Sequence, residues 1–316
     1  MKRFKSILVG VALAEGDRLV SERVPSASEE AVARGTWLAK ANDAQLNFLH
    51  VLPSWAANLD ANTQVLIQND HGQQTVRDHA KEVMAKLVHQ AESEGIAAES
   101  RVVFGKSWVE AIRQVLRKHH DLVIVGAKDT SQPRPFLAGS TAIKLLRKCP
   151  CAVWVTRPTP DRILHSILVA HDLRSVGNDA MELGCSLAKI HHAKLHVLHA
   201  AEYANYDNIF PTLVSLDSAE QYRQNAEKQI AEQLAKFHLA HEAQVHFSTR
   251  APDLAIWHCI EEENVELLVM GTIARTGISG LITGNTAERL LPLLSCSILA
   301  IKPRDFQSPV TLEPHG

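Results

Sequence analysis

Short runs of consecutive apolar residues alternate along the chain with longer stretches whose apolar positions recur every three to four residues. Runs near Ile7–Gly10, Leu46–Leu52, Arg101–Phe104, Leu122–Gly126 and Cys151–Val155 predict five strands. Five more are predicted near Ile167–Ala170, Leu195–Ala200, Val245–Ser248, Leu267–Gly271 and Ser297–Ile301. Between them, Val76, Ala80, Val83, Leu87 and Ala91 form one helical stripe, and Ala226, Ile230, Leu234 and Phe237 form another. Uninterrupted apolar strands separated by helices belong to a parallel sheet covered on both faces. The predicted fold is α/β: a doubly wound, parallel, five-stranded sheet, made twice in tandem.

The second half of the chain rewrites the first. Leu38-Ala39-Lys40 recurs as Leu187-Ala188-Lys189, and Ala44, Leu46, Leu49 and His50 recur as Ala193, Leu195, Leu198 and His199, each 149 positions later. Gly126, Gly139, Leu145 and Cys151 recur as Gly271, Gly284, Leu290 and Cys296, each 145 later. The first strand pairs at a larger offset, Ile7-Leu8-Val9 with Ile167-Leu168-Val169, which places extra chain between Val11 and Ser28 as an enlarged loop. Two copies are too few for a solenoid. The expected organisation is a first domain over 1–157, a second over 162–304 and a tail over 305–316. The linker is Arg157-Pro158-Thr159-Pro160-Asp161, whose prolines stop a strand or helix.

Composition narrows the class. The chain has 316 residues, 46% of them hydrophobic, which suits two domains with well-buried cores. A net charge of −2 leaves no basic surplus for nucleic acid or an anionic membrane surface. No apolar run reaches the roughly 18 residues that span a bilayer, and Met1-Lys2-Arg3-Phe4-Lys5 is taken as a basic lead-in to the first strand. Five scattered cysteines without a CxxC pair suggest reduced thiols and a cytoplasmic setting.

The candidate chemistry sits after the run Leu267-Leu268-Val269-Met270. Gly271-Thr272-Ile273-Ala274 follows it, and Gly284-Asn285-Thr286 begins a helix. Backbone N–H groups at such a strand–loop–helix junction point outward, and the helix dipole adds partial positive charge, an arrangement that binds phosphate. Asn285 and Glu288 also fit a capping pair, and Asp172 after its strand could cap the next helix or bind a turn. In the first half the corresponding loop holds Asp129, which would repel a phosphate, and Pro133-Arg134-Pro135, which stiffens it. The 17 histidines include His191-His192, His196 and His199 around one strand; His196 and His199 point to opposite faces, and no metal set is assigned. Exposed or capping histidines are expected instead. No Ser–His–Asp or paired-carboxylate pattern can be placed, so no catalytic residue is named.

At these residues the chain resembles the universal stress protein family, whose nucleotide-binding members carry glycine, two residues, glycine, nine residues, then glycine and Ser or Thr. The second half has Gly271, two residues, Ala274, nine residues, Gly284 and Asn285. Arg275-Thr276-Gly277, Thr286-Ala287-Glu288-Arg289 and Asp172 after Ile167-Leu168-Val169-Ala170-His171 are also similar to the family. The resemblance covers nearly all of both halves and implies an adenine-nucleotide alpha hydrolase-like fold. It would place Ala170, Asp172 and Ala200 around adenine and ribose, Met270, Gly271 and Ala274 along the ribose and first phosphates, and Gly284, Asn285 and Thr286 at the later phosphates. ATP is the implied ligand, or another phosphate-containing small molecule. The first half departs further, with Ala12 at the aspartate position.

The resulting expectation is a non-catalytic tandem stress-response protein with its ligand in the second domain. The two domains would pair as an intramolecular pseudo-dimer through the strands at Val153 and Ile298, and a homodimer is possible. The alternatives are a slow ATPase or phosphotransferase using Asp172, and a scaffold for a nucleotide-sugar or lipid.

Overall fold

A computed structural model describes residues 3–16, 18–57, 67–69, 72–127, 139–158, 163–200, 216–272, 290 and 294–312. In the first half, β1 (Ser6–Gly10), α1 (Ser26–Asn42) and β2 (Gln45–Leu52) lead to a short antiparallel pair, β3 (Ile67–Asn69) and β4 (Gly72–Gln74). Then come α2 (Val76–Ser93), β5 (Ala98–Phe104), α3 (Ser107–Lys118), β6 (Leu122–Gly126), α4 (Ser140–Lys148) and β7 (Ala152–Thr156). The second half runs β8 (Ser166–Ala170), α5 (Ser175–His191), β9 (Lys194–Ala200), α6 (Leu216–Lys236), β10 (Gln244–Ser248), α7 (Pro252–Glu262), β11 (Leu267–Gly271) and β12 (Ser297–Ile301).

All strands but the β3–β4 pair share one ten-stranded sheet, in the order β10-β9-β8-β11-β12-β7-β6-β1-β2-β5. Within this sheet every pairing inside a half is parallel. At the middle β12 meets β7 antiparallel, with Ile298 opposite Val155 and Ala300 opposite Val153. The two predicted five-stranded sheets are thus continuous. One edge strand begins earlier than predicted: Ala98, Glu99 and Ser100 extend β5 along Leu46–Phe48 although their side chains are mostly exposed. Edge strands need no apolar run, because the ladder alone holds them on one side. The β3–β4 pair was not anticipated. Part of the linker, residues 159–161, lies outside the described residues.

The strands are apolar on both sides because both sides are covered. One face packs Val9, Leu46, Trp154, Val169 and Leu299 with residues of α1, α2 and α5; the other packs Leu8, Val123, Val153, Leu268 and Ile298 with residues of α3, α4 and α7. Both cores run across the β7–β12 joint. The repeat reaches into backbone detail. Asp43 and His192, 149 apart, end α1 and α5 in the left-handed conformation at φ 55° and 53°. Gly35 and Gly184, also 149 apart, let those helices lie against the sheet: a Cβ would come within 2.4 Å of Val9 Cγ2 and 2.2 Å of Val169 Cγ2.

Candidate functional site

The chain passes from β8 to β9 on one side and later returns to β11 on the other, so strand order reverses between β8 and β11. A crevice forms beyond the carboxyl ends of strands at such a point. Ala170 and Met270 are direct partners across it, and Gly271 ends β11. Thr272 is buried, and its N–H donates to Ile301 O at 2.9 Å, which ties the start of the loop to β12. Ala200 ends β9, the next strand over. Asp172, Ala170, Ala200, Met270 and Gly271 therefore lie around the carboxyl ends of three adjacent strands. Ala274, Gly284, Asn285 and Thr286, with Glu288, fall outside the described residues.

Asp172 is exposed and turned toward the start of α5. Its Oδ1 accepts from the Arg174 N–H at 3.0 Å, an Asx turn, and a Cβ at Gly177 would sit 2.3 Å from the same oxygen. In the first half the polar group has changed sides. Ala12 stands for the aspartate, and Ser28, 149 before Gly177, accepts from Ala12 N–H at 2.9 Å and donates to Ala12 O at 3.0 Å. At this position the first half therefore has a hydroxyl in place of a carboxylate. Gly126 is pressed against α1, since a Cβ there would lie 2.0 Å from Ala27 O, whereas Gly271 faces the side chain of Val176 at 2.8 Å. Each glycine has a packing reason of its own. Asp129 lies outside the described residues.

Histidines line the floor of the second crevice, which the sequence reading missed. The Leu173 N–H donates to His171 Nδ1 at 2.9 Å, so His171 carries its proton on Nε2 and donates it to Gln233 Oε1 at 3.0 Å. Gln233 Nε2 donates in turn to Asn178 Oδ1 at 2.8 Å. His199 Nδ1 donates to His171 O at 2.8 Å, and the Tyr222 hydroxyl lies 3.0 Å from its Nε2. Burial lowers the pKa of His171, partly countered by the Gln233 hydrogen bond. The first-half counterpart of His199 keeps half of this pattern: His50 Nδ1 donates to Val11 O at 2.9 Å. The expectation of exposed or capping histidines needs correction. His50, His79, His120, His171, His196 and His199 are buried: strand alternation turns His50, His196 and His199 under the covering helices, while His79 lies on α2 and His120 and His171 flank β6 and β8, and backbone or side-chain partners satisfy at least one ring nitrogen in most. A repeated His at an inward strand position, as at His50 and His199, was the available signal.

His196 and His199 do face opposite sides, as expected. His196 lies under α7 with no measurable exposure, and its Nδ1 is 3.0 Å from Nε2 of His246 on β10. Its Nε2 is 3.8 Å from Glu263 Oε2, which also pairs with Lys194 Nζ at 3.2 Å. Elsewhere, a groove of about 670 Å³ lies against α1 and α2, lined by Arg23, Trp37, Lys40 and Glu94 among others.

The model of the universal stress protein family matches residues 24–157 and again 164–302. The chain belongs to the universal stress protein family. It is 30% identical over 233 residues to universal stress protein E of Escherichia coli K12, covering 69% of this chain and 72% of that one. Among solved structures it is similar to a Pseudomonas aeruginosa PAO1 protein described as functionally unknown, with a TM-score of 0.69 and 22% identity over 96% of this chain and 95% of that one. It is also similar to a universal stress protein of Archaeoglobus fulgidus, with a TM-score of 0.65 and 19% identity over 96% and 99% of the two chains. These two likenesses concern the fold. The tandem arrangement of universal stress protein domains follows from the two matched segments. No helix among the described residues is long and apolar enough to cross a membrane.

Proposed function

We propose that this universal stress protein acts in the cellular stress response by binding an adenine nucleotide, ATP foremost, or another phosphate-containing small molecule in its second half. The reading rests on one observation above others. Gly271 ends β11 beside β8 at the point where strand order reverses, and it opens the sequence Gly271-x2-Ala274-x9-Gly284-Asn285. A phosphate approaching there would meet backbone N–H groups rather than a side chain. Ala170, Ala200 and Met270 offer apolar surface for a base, and Asp172 offers a carboxylate that could accept from ribose hydroxyls. The first half, with Ala12 in place of the carboxylate and Ala27 against Gly126, serves as a structural partner. The protein is a ligand-binding member of the family rather than an enzyme, working in the cytoplasm. The scattered cysteines and the lack of basic surplus favour that setting over nucleic acid or a membrane surface.

Native mass spectrometry of protein purified under mild conditions tests this directly. A co-purifying ligand whose mass corresponds to a nucleotide or another phosphate compound is expected. A phosphate-free ligand held at one per chain would replace the proposal with the scaffold reading.

A further inference from the structure

The cluster under α7 lies at the opposite end of the second half from Asp172 and Gly271. Glu263 follows the last turn of α7, its carbonyl accepts from Ser166 Oγ at 3.2 Å, and Ser166 is the first residue of β8. Lys194, which pairs with the Glu263 carboxylate, is the first residue of β9. The cluster therefore belongs to the amino ends of the strands, separate from the proposed ligand crevice.

Its geometry follows from strand register. Gln244 pairs with His196 and His246 pairs with Leu198, so His196 and His246 are diagonal neighbours on one face of parallel strands. Glu263 comes down on that face from α7. Donor atoms of the three residues lie within 4.8 Å of one another. Donors around a tetrahedral zinc ion stand roughly 3.4 Å apart, given metal–ligand bonds of about 2.0–2.2 Å. Rotations moving the two half-exposed side chains by about an ångström would close the set around the buried imidazole. The Nε2 of His196 is buried without a hydrogen-bond partner among the described residues, a cost that buried polar atoms rarely bear.

The first half shows that the fold does not require these residues. The positions equivalent to His196, His246 and Glu263 are Asn47, Arg101 and Lys118, by the same offsets of 149 and 145. There Arg101 Nη1 donates to Gln114 Oε1 at 2.9 Å and Lys118 pairs with Glu99 at 3.2 Å. Two cations in one half have become an imidazole and a carboxylate in the other. We propose that His196, His246 and Glu263 form a binding site for a borderline divalent metal ion of the zinc class. Two imidazoles and one carboxylate suit zinc over magnesium, which prefers an all-oxygen octahedron. Three protein ligands leave a fourth position for water. Lys194 holds the carboxylate when the ion is absent and must release it on binding.

Equilibrium dialysis of the chelator-treated full chain against Zn²⁺, and separately Mg²⁺, tests the site. One Zn²⁺ per chain and no Mg²⁺ at the same concentration are expected. His246→Gln and Glu263→Gln should each weaken Zn²⁺ binding tenfold or more, Lys194→Gln should tighten it severalfold, and His258→Gln should leave it unchanged. These side chains are exposed or half-exposed, and thermal melting checks that the variants fold. Cobalt(II) replacing zinc should give visible d–d absorption without thiolate charge transfer. The proposal is overturned if no Zn²⁺ binds, if both ligand variants bind as wild type, or if the cobalt spectrum is that of a thiolate site.

Discussion

At the scale of single residues, Asp172 and the buried histidines carry the polar chemistry of the second half. Asp172 follows an apolar run, so its place beyond β8 came from pattern alone, and the turn it caps was one of two roles foreseen for it. The tie between His171, Gln233 and Asn178 joins residues 55 or more positions apart in the chain, which no local period reveals. Buried histidines have a measurable consequence. Burial holds His120 and His191 down at a pKa of about 4, against an ordinary value of 6.5. Above pH 6.5 both rings are neutral in folded and unfolded chains, and their contribution to stability is complete. Between pH 6.5 and 4 the unfolded chain takes up protons that the folded chain refuses. Stability then falls by up to about 1.4 kcal/mol per pH unit for each fully shielded ring. Because His191 is only half-buried, the pair should cost on the order of 2–3 kcal/mol between pH 7 and pH 5. Urea midpoints across that range should drop accordingly, and His120→Gln should flatten part of the slope.

At the scale of elements, the strands were legible because burial on both faces makes them continuously apolar, and α2 and α6 because their stripes have helical spacing. The start of β5 was not, since an edge strand draws its definition from ladder hydrogen bonds rather than burial. Nor were the glycines of α1 and α5, whose reason is contact across the core. Gly184→Ala sets two effects against each other. Alanine favours the helix by about 1 kcal/mol, but its Cβ would sit 2.2 Å from Val169 Cγ2. Val169 is a β-branched residue with no exposure in a central strand and cannot swing away. Overpacking of this kind costs about 1–3 kcal/mol. Gly184→Ala and Gly35→Ala should both lower the melting temperature, while Gly95→Ala, with no atom near its Cβ, should lower it only through its positive φ of 80°.

At the scale of the whole molecule, tandem repetition was written in the offsets, and the strands at Val153 and Ile298 do lie side by side. The continuity of both cores across the joint depends on side chains meeting in space and could not be read from either copy alone. The Trp37 ring of α1 lies against His191 of α5, tilted, with ring centres 4.5 Å apart, Arg3 pairs with Glu182 at 3.4 Å, and Trp154 and Leu299 share one core with both halves. The halves should therefore melt together. Calorimetry should show one transition with matching calorimetric and van't Hoff enthalpies. Trp154→Ala should destabilise that single transition by about 3–5 kcal/mol rather than split it.

The unequal crevices give the molecule its proposed division of labour, with the second half binding and the first supporting. Isothermal titration of ATP into folded protein stripped of co-purified ligand tests this most directly. One ATP per chain is predicted; two per chain, or no binding at millimolar ATP, would contradict it.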